Sequence, residues 1–299
     1  MNGEPSLGAL EAGGTKWVCA VGTASGGVRE EVVVPTGTPG ETLPKVFAAF
    51  DGLQERHGRV DALGVGTFGP VGVNPEGPDY GVIGNTPKPG WGGFDLRVAL
   101  RGYFGAGIPM TFETDVNAAA VAESEVPENR DAATLAYLTV GTGIGGGVIS
   151  GGKIWHGRGH PEIGHLPVPE SSREPTSGFS SCPFHRACIE GKASGSAMEK
   201  RWGEPAQNWP EDHPGWDLEA DYLAALVLSL TAAWAPDRIV FGGSVVLFEP
   251  LLPLVRNKFE KMAGGYWQLP PLENYLVVSS LGNRAGLVGA LALAAGCPE

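Results

Sequence analysis

The chain has 299 residues, 42% of them apolar, which is enough to bury a core in each of two ordinary domains and excludes a disordered or fibrous protein. A formal charge of -12 argues against nucleic acid or an anionic lipid surface as partner, since both call for clustered Lys and Arg, and leaves small-molecule chemistry. The first ten residues carry Glu4 and no basic leader, and no apolar run approaches the ~20 residues that span a bilayer, so a cytoplasmic protein is expected.

The 47 glycines and 25 prolines punctuate short apolar runs rather than forming a low-complexity tract. Leu7 to Glu11, Trp17 to Gly22 and Val28 to Pro35 read as an antiparallel meander turning at Gly13-Gly14 and Ser25-Gly26-Gly27. Leu43, Val46, Phe47, Phe50 and Leu53 recur at a helical period within Leu43 to Arg56, and Ala62 to Gly66 follows as a buried strand. A Gly/Pro-rich stretch, Gly69 to Gly93, leads to a helix around Leu96 to Tyr103, a strand Met110 to Glu113 and an Ala-rich helix from near Asn117. Beyond it come strands at Ala136 to Gly141 and Gly146 to Ile149, a cysteine-bearing segment and a long helix from about Leu218 to Trp234. Arg238 to Phe241 (strand), Leu251 to Met262 (helix), Leu276 to Ser280 (strand) and Gly286 to Ala295 (helix) complete the series.

Both halves open with strand, glycine turn, strand. The expectation is two similar α/β lobes whose turns meet at a shared cleft, residues 1–115 and 116–285, with the C-terminal helix of about 286–299 packing back on the first.

Three glycine turns at strand ends suit a nucleotide. Glu11-Ala-Gly-Gly-Thr-Lys16 offers open backbone at Gly13 and Gly14, a hydroxyl at Thr15 and a point charge at Lys16. Gly141-Thr-Gly-Ile-Gly-Gly-Gly147 adds Thr142 and Gly143; it continues into a strand, so it is not the helix-opening dinucleotide fingerprint, and the chain has no P-loop. Phe241-Gly-Gly-Ser244 exposes Gly242 and Gly243 where an adenosine could lie. Of the four cysteines, Cys19 reads as a buried apolar residue and Cys297 as a tail residue, whereas Cys182 and Cys188 flank His185 at ligand spacing.

These turns resemble the phosphate and adenosine signatures of the sugar kinase, actin and Hsp70 superfamily. Glu113-Thr-Asp-Val-Asn-Ala-Ala, Pro161-Glu-Ile-Gly-His165 and Cys182-Pro-Phe-His-Arg-Ala-Cys-Ile-Glu-Gly-Lys-Ala-Ser-Gly195 together resemble the ROK family, and Thr86-Pro-Lys-Pro-Gly-Trp91 resembles its fructokinase branch. The resemblance runs from about Leu7 to Gly289. It implies a two-domain, actin-like (ribonuclease H-like) α/β fold with a cleft, and ATP-dependent phosphorylation of a hexose, fructose first and mannose or glucose as the broader alternative.

In such a kinase the protein holds an alcohol in line with the γ-phosphorus, accepts its proton and neutralises charge. The resemblance makes Asp115 the general base, although an Asp between strand and helix also suits an N-cap. It carries over Glu162, His165 and Glu190 as sugar ligands, joined by Asn85, Thr86 and Thr114, and places Gly195 on the adenine side. His165, Cys182, His185 and Cys188 supply two imidazoles and two thiolates, which suits a structural tetrahedral Zn²⁺ with no open position. Two positions depart from the pattern. Glu11 stands where many relatives have the Asp that positions Mg²⁺, and Ser196 stands where Pro is usual. Trp202, Trp209 and Trp216 are expected to pack or cover an interface rather than bind anything specific, and Glu211 and Asp212 to be solvated.

The same family includes sugar-responsive repressors, but a first strand at Leu7 leaves no room for their helix-turn-helix, and the superfamily's phosphatases are disfavoured by the Asp115 segment. A kinase is expected over a sugar sensor. A homodimer, common among relatives, is the expected assembly.

Overall fold

The structure, a computed structural model, describes residues 4–25 and 27–296; Gly26 of the first turn, Cys297 and the end of the expected last helix lie outside them. The chain forms two compact units. One runs to Ala122 and includes His156–His160 and the chain from Arg284 onward; the other comprises Glu123–Trp155 and Pro161–Asn283.

In the first unit β1 (Leu7–Ala12), β2 (Lys16–Thr23) and β3 (Gly27–Pro35) form the meander, followed by α1 (Pro39–His57), β4 (Ala62–Thr67), α2 (Leu96–Phe104), β5 (Met110–Thr114) and α3 (Asp115–Ser124). Sheet order is β3-β2-β1-β4-β5, with β4 and β5 parallel to β1. The sequence places the start of α1 four residues too late. The helix begins at Pro39 because Thr38 and Glu41 form a capping box ahead of it. A core of Trp17, Phe50, Leu53, Trp91 and Phe112 fills one side of the sheet, where Trp17 and Trp91 meet with ring centroids 5.0 Å apart.

The second unit repeats the plan. It contains β6 (Thr134–Val140), β7 (Ile144–Ser150), β8 (Lys153–Ile154), α4 (Ile189–Ala193), α5 (Gly195–Trp202), α6 (Pro214–Trp234), β9 (Arg238–Gly242), α7 (Leu251–Ala263), α8 (Leu272–Tyr275) and β10 (Leu276–Val278). Sheet order is β10-β9-β6-β7-β8, again an antiparallel ribbon flanked by two parallel strands. Gly145 to Gly147 are strand residues of β7, so the turn itself is only Gly141 to Gly143. Leu223, Leu226 and Leu230 of α6 pack with Val255 and Phe259 of α7 in its core.

The chain returns to the first unit through α9 (Ala285–Ala295), whose Leu287, Ala290, Leu291 and Ala294 cover Leu7, Ala9, Val18, Ala20 and Ala62 on the sheet. The fit is close. A methyl added to Gly64 would lie 1.8 Å from the Ala290 carbonyl oxygen, and one on Gly289 would lie 1.7 Å from that of Ala118. Among the described residues no helix is long and apolar enough to cross a membrane.

Candidate active site

In the first unit the β1–β2 turn is braced from behind. Gly13 N–H donates to Lys16 O at 3.0 Å, Thr36 N–H to Thr15 O at 3.0 Å and Thr36 Oγ1 to Gly13 O at 2.9 Å. Gly14, Thr15 and Lys16 are left exposed at the tip. Gly13 is obligatory, because a Cβ there would sit 2.8 Å from Lys16 O.

Asp115 opens α3 half-buried, its Oδ1 accepting the Val116 N–H at 2.9 Å. It is not the cap of that helix. Thr114 Oγ1 accepts the Asn117 N–H at 3.1 Å, the bond that caps the first turn, and Thr114 is buried. This is why the helix begins at Asp115 and not near Asn117. The buried Glu113 holds the junction, accepting Asn117 Nδ2–H at 2.8 Å and facing His156 Nε2 at 2.9 Å. That hydrogen bond raises the His156 imidazole above its ordinary pKa. His160 Nε2 accepts the Val71 N–H at 3.2 Å, so two histidines tie His156–His160 to the first unit. Neither histidine stands out in the sequence. Asn85 is exposed and Thr86 half-buried in the loop that follows.

Glu11 points at the start of α9, where a methyl on Gly286 would lie 2.6 Å from its Oε1. Burial pushes its carboxyl up to about 7, the charge on Asp115 adds to the rise, and Lys16 opposes it. Between the ordinary carboxylate range and about 7 the folded chain therefore holds a proton that the unfolded chain has already released. Glu11 lowers stability as pH climbs from the ordinary carboxylate range to about 7. In metal-free protein, Glu11→Gln is expected to flatten that part of the stability curve and to gain over the native chain above pH 7. Urea melts from pH 4.5 to 8 check this, and parallel curves would remove the assignment.

In the second unit Gly141 N–H donates to Gly143 O at 3.0 Å, closing the tight turn. Glu190 Oε2 accepts the Ile144 N–H at 3.0 Å, and a methyl on Gly143 would meet that oxygen at 2.7 Å. The expected sugar ligand Glu190 thus also buttresses the second glycine turn. Gly195 N–H donates to Gly141 O at 2.7 Å, and Ser196 Oγ to Thr142 O at 2.8 Å. The serine that departs from the usual Pro gives this loop a bond that Pro could not make. Gly242 and Gly243 are demanded by packing: a methyl on Gly242 would strike Tyr137 Oη at 2.0 Å, and Gly243 has φ +90° against Val140 O.

A cavity of about 750 Å³ opens beside these turns, entirely within the second unit. Gly141, Thr142, Gly195, Ser196 and Ser244 form one side. Ala206, Gln207, Asn208, Trp209, Trp216 and Phe248 form another. Trp209 and Trp216 are packed as expected, Trp216 stacking on Phe248 at 3.9 Å between centroids, but they also wall this hollow. Flat aromatic walls, side-chain amides and a glycine turn at the mouth suit a planar heterocycle carrying phosphates. Glu211 and Asp212, expected as plain surface, rim a separate hollow of about 600 Å³ with Arg173 and Asp217.

Glu162 caps the 3-10 turn Ile163–His165, His165 N–H donating to Glu162 O at 3.0 Å, so a local helical turn sets the spacing of these two side chains. From there the chain pairs with itself. Val168 N–H donates to Ala187 O and Ile189 N–H to Leu166 O, each at 2.9 Å, which brings His165 beside Cys188. His165, Cys182, His185 and Cys188 then offer ligand atoms that all lie within 4.8 Å of one another. Cys182 Sγ is 3.7 Å from His185 Nδ1, and His165 Nδ1 is buried without a hydrogen-bond partner. Two thiols and two imidazoles converging around an orphaned ring nitrogen fit a tetrahedral metal ion. The loop is further pinned by the buried pair Arg201–Glu174 at 2.9 Å, to which Tyr222 Oη adds a bond at 2.7 Å.

The sequence model of the ROK family matches residues 7–296. This chain belongs to the ROK family. Over 289 residues it is 45% identical to a fructokinase of Pediococcus pentosaceus, covering 96% of this chain and 97% of that protein. It superposes on the ROK hexokinase of Thermus thermophilus with a TM-score of 0.77 at 29% identity, covering 97% and 98% of the two chains. A ROK glucokinase of Streptomyces griseus, solved with glucose and AMPPNP, gives 0.78 at 25% identity, covering 97% and 99%. The two mixed five-stranded sheets are those of these ROK kinases, the actin-like fold expected from the glycine turns.

Proposed function

We propose that this chain is an ATP-dependent fructokinase that makes fructose 6-phosphate in the cytoplasm, with Asp115 as general base. Its identity with the Pediococcus pentosaceus fructokinase over nearly the full length of both chains carries the choice of substrate. The chemistry rests on Asp115, a half-buried carboxylate at a strand end, where the resemblance puts the general base and where Thr114 rather than Asp115 caps the helix. The Gly13–Lys16 and Gly141–Gly143 turns are read as phosphate cradles and Gly195, on the cavity wall, as the adenine contact. Gly242, which is buried, and Gly243 do not line that cavity and are read at the nucleoside only through the turn they form ahead of Ser244, which does. Asn85, Thr86, Thr114, Glu162, His165 and Glu190 are read as sugar-selecting groups, because matching several hydroxyls at once is what separates hexoses.

Glu11 and Asp115, two carboxylates that repel each other, are the donor set that a hard divalent cation would relieve, and Glu11 is proposed to position Mg²⁺. Bound Mg²⁺ would neutralise phosphate charge. For His165, Cys182, His185 and Cys188 we propose Zn²⁺, with no open position and hence a structural role. Held this way, His165 presents its ring at a fixed angle three residues from Glu162. A homodimer is part of the same reading.

The deciding measurement is kcat/KM with ATP across fructose, mannose, glucose and N-acetylmannosamine. Fructose is expected to lead by about tenfold or more, the discrimination that buried polar groups give readily. A leading glucose or mannose would reassign the substrate, and ADP release that ignores sugar would make the chain a hydrolase.

A further inference from the structure

Lys88 lies in the Thr86–Trp91 segment without a role assigned to it so far, and the fold of the first unit sends its ammonium to the phosphate turn. Its segment is anchored by Trp91, which is fully buried, packs against Trp17, Phe68 and Phe94, and donates its indole N–H to Gly37 O at 2.8 Å. Trp91 N–H also donates to Lys88 O at 3.2 Å. From this fixed base the half-buried Lys88 side chain lies across Phe68, with Nζ 4.3 Å from the ring centroid. Its tip reaches the turn: a methyl on Gly14 would stand 3.2 Å from Lys88 Cε and 3.3 Å from Nζ.

We propose that Lys88 contacts the terminal phosphate of a nucleoside triphosphate seated on the Gly13–Lys16 turn and stabilises the phosphoryl group during its transfer. This rests on the kinase reading above. The space left by the missing side chain of Gly14 is where a phosphate oxygen can approach backbone, and the Lys88 ammonium borders that space. Lys16 is exposed, so water screens its charge; Lys88 is half-buried over an aromatic platform, where a cation acts in a lower dielectric and need not be reorganised. In the reaction the sugar oxygen bonds to the γ-phosphorus as the bond to the β,γ-bridging oxygen breaks. ADP leaves with that electron pair, and the alcohol proton passes to Asp115. Lys88 forms no covalent bond and keeps its proton.

The test compares Lys88→Met, Lys88→Gln and Lys88→Arg with the native chain in kcat, sugar KM and calorimetric affinity for AMPPNP and for ADP. Loss of the charge is expected to lower kcat about 10²-fold or more, with sugar KM held within about threefold. AMPPNP should weaken about tenfold and ADP by less than about twofold, with Lys88→Arg recovering most of the AMPPNP affinity. Near-native kcat in both Lys88→Met and Lys88→Gln overturns the proposal. So does equal weakening of AMPPNP and ADP, or a rise confined to sugar KM. A native chain without sugar-dependent turnover would sink the kinase reading and this inference together; an active native chain with indifferent variants would sink this inference alone.

Discussion

Asp115→Asn is expected to keep the fold and the affinity for ATP while losing about 10²–10⁴-fold in kcat, the range of a positioned general base. The substitution is nearly isosteric, and the amide oxygen can still accept the Val116 N–H now bonded to Oδ1 at 2.9 Å. The helix should not notice, because its cap is the Thr114 hydroxyl. What disappears is a proton acceptor and a negative charge. Since the Asp115 charge helps hold the Glu11 carboxyl up near 7, the variant should also let Glu11 titrate lower and should be at least as stable as the native chain at pH 8. A kcat within about tenfold of native would take the base role away from Asp115. A cooperative melt together with calorimetry of ATP binding would show that the loss is chemical.

Removing the proposed zinc is expected to have the largest effect on stability. Metal analysis after exhaustive dialysis should find about one zinc per chain. Cys188→Ser should abolish it and cost about 4–5 kcal/mol, in the range that single changes reach when a metal site is lost. In a unit of this size that corresponds to a fall of roughly 10 °C or more in melting midpoint. The effect is large because the four ligands join separated pieces of chain. His165 lies on the 3-10 turn, Cys182 and His185 on the loop, and Cys188 immediately before α4. Without metal, two thiols and two imidazoles are left crowded and nothing fixes His165, so sugar KM should rise much more than the Kd for ATP. Metal-free protein with native activity and melting midpoint would reduce the cluster to a coincidence of loop residues.

The strands and long helices are legible because their signals are local. Val46, Phe50 and Leu53 recur at a helical period, and the meander alternates around glycine turns. Boundaries shift where side-chain caps decide them, as Thr38 does for α1 and Thr114 for α3. The short helices α4 and α5 escape notice for the same reason: they are rich in Gly, Ser and Ala, and they start on Cys188 and Ser194, whose side chains accept backbone N–H groups. The metal ligands are visible through their unusual residue types. The aromatic wall of the cavity is not, because stacking of Trp216 on Phe248 is a contact between α6 and a distant loop that no period encodes. Lys88 is overlooked likewise, since only the burial of Trp91 and the ring of Phe68 turn a proline-rich loop into a rigid arm.

The covering of the first sheet by α9 bears on how the molecule is made. On a ribosome the meander emerges early, but the apolar face formed by Leu7, Ala9, Val18, Ala20 and Ala62 stays bare until residues near 290 are synthesised. Nearly the whole protein must be translated before that surface is closed, an interval in which hydrophobic strands invite aggregation and chaperone capture. Truncations that stop short of Leu287 should therefore be insoluble while still encoding every residue proposed to touch a substrate.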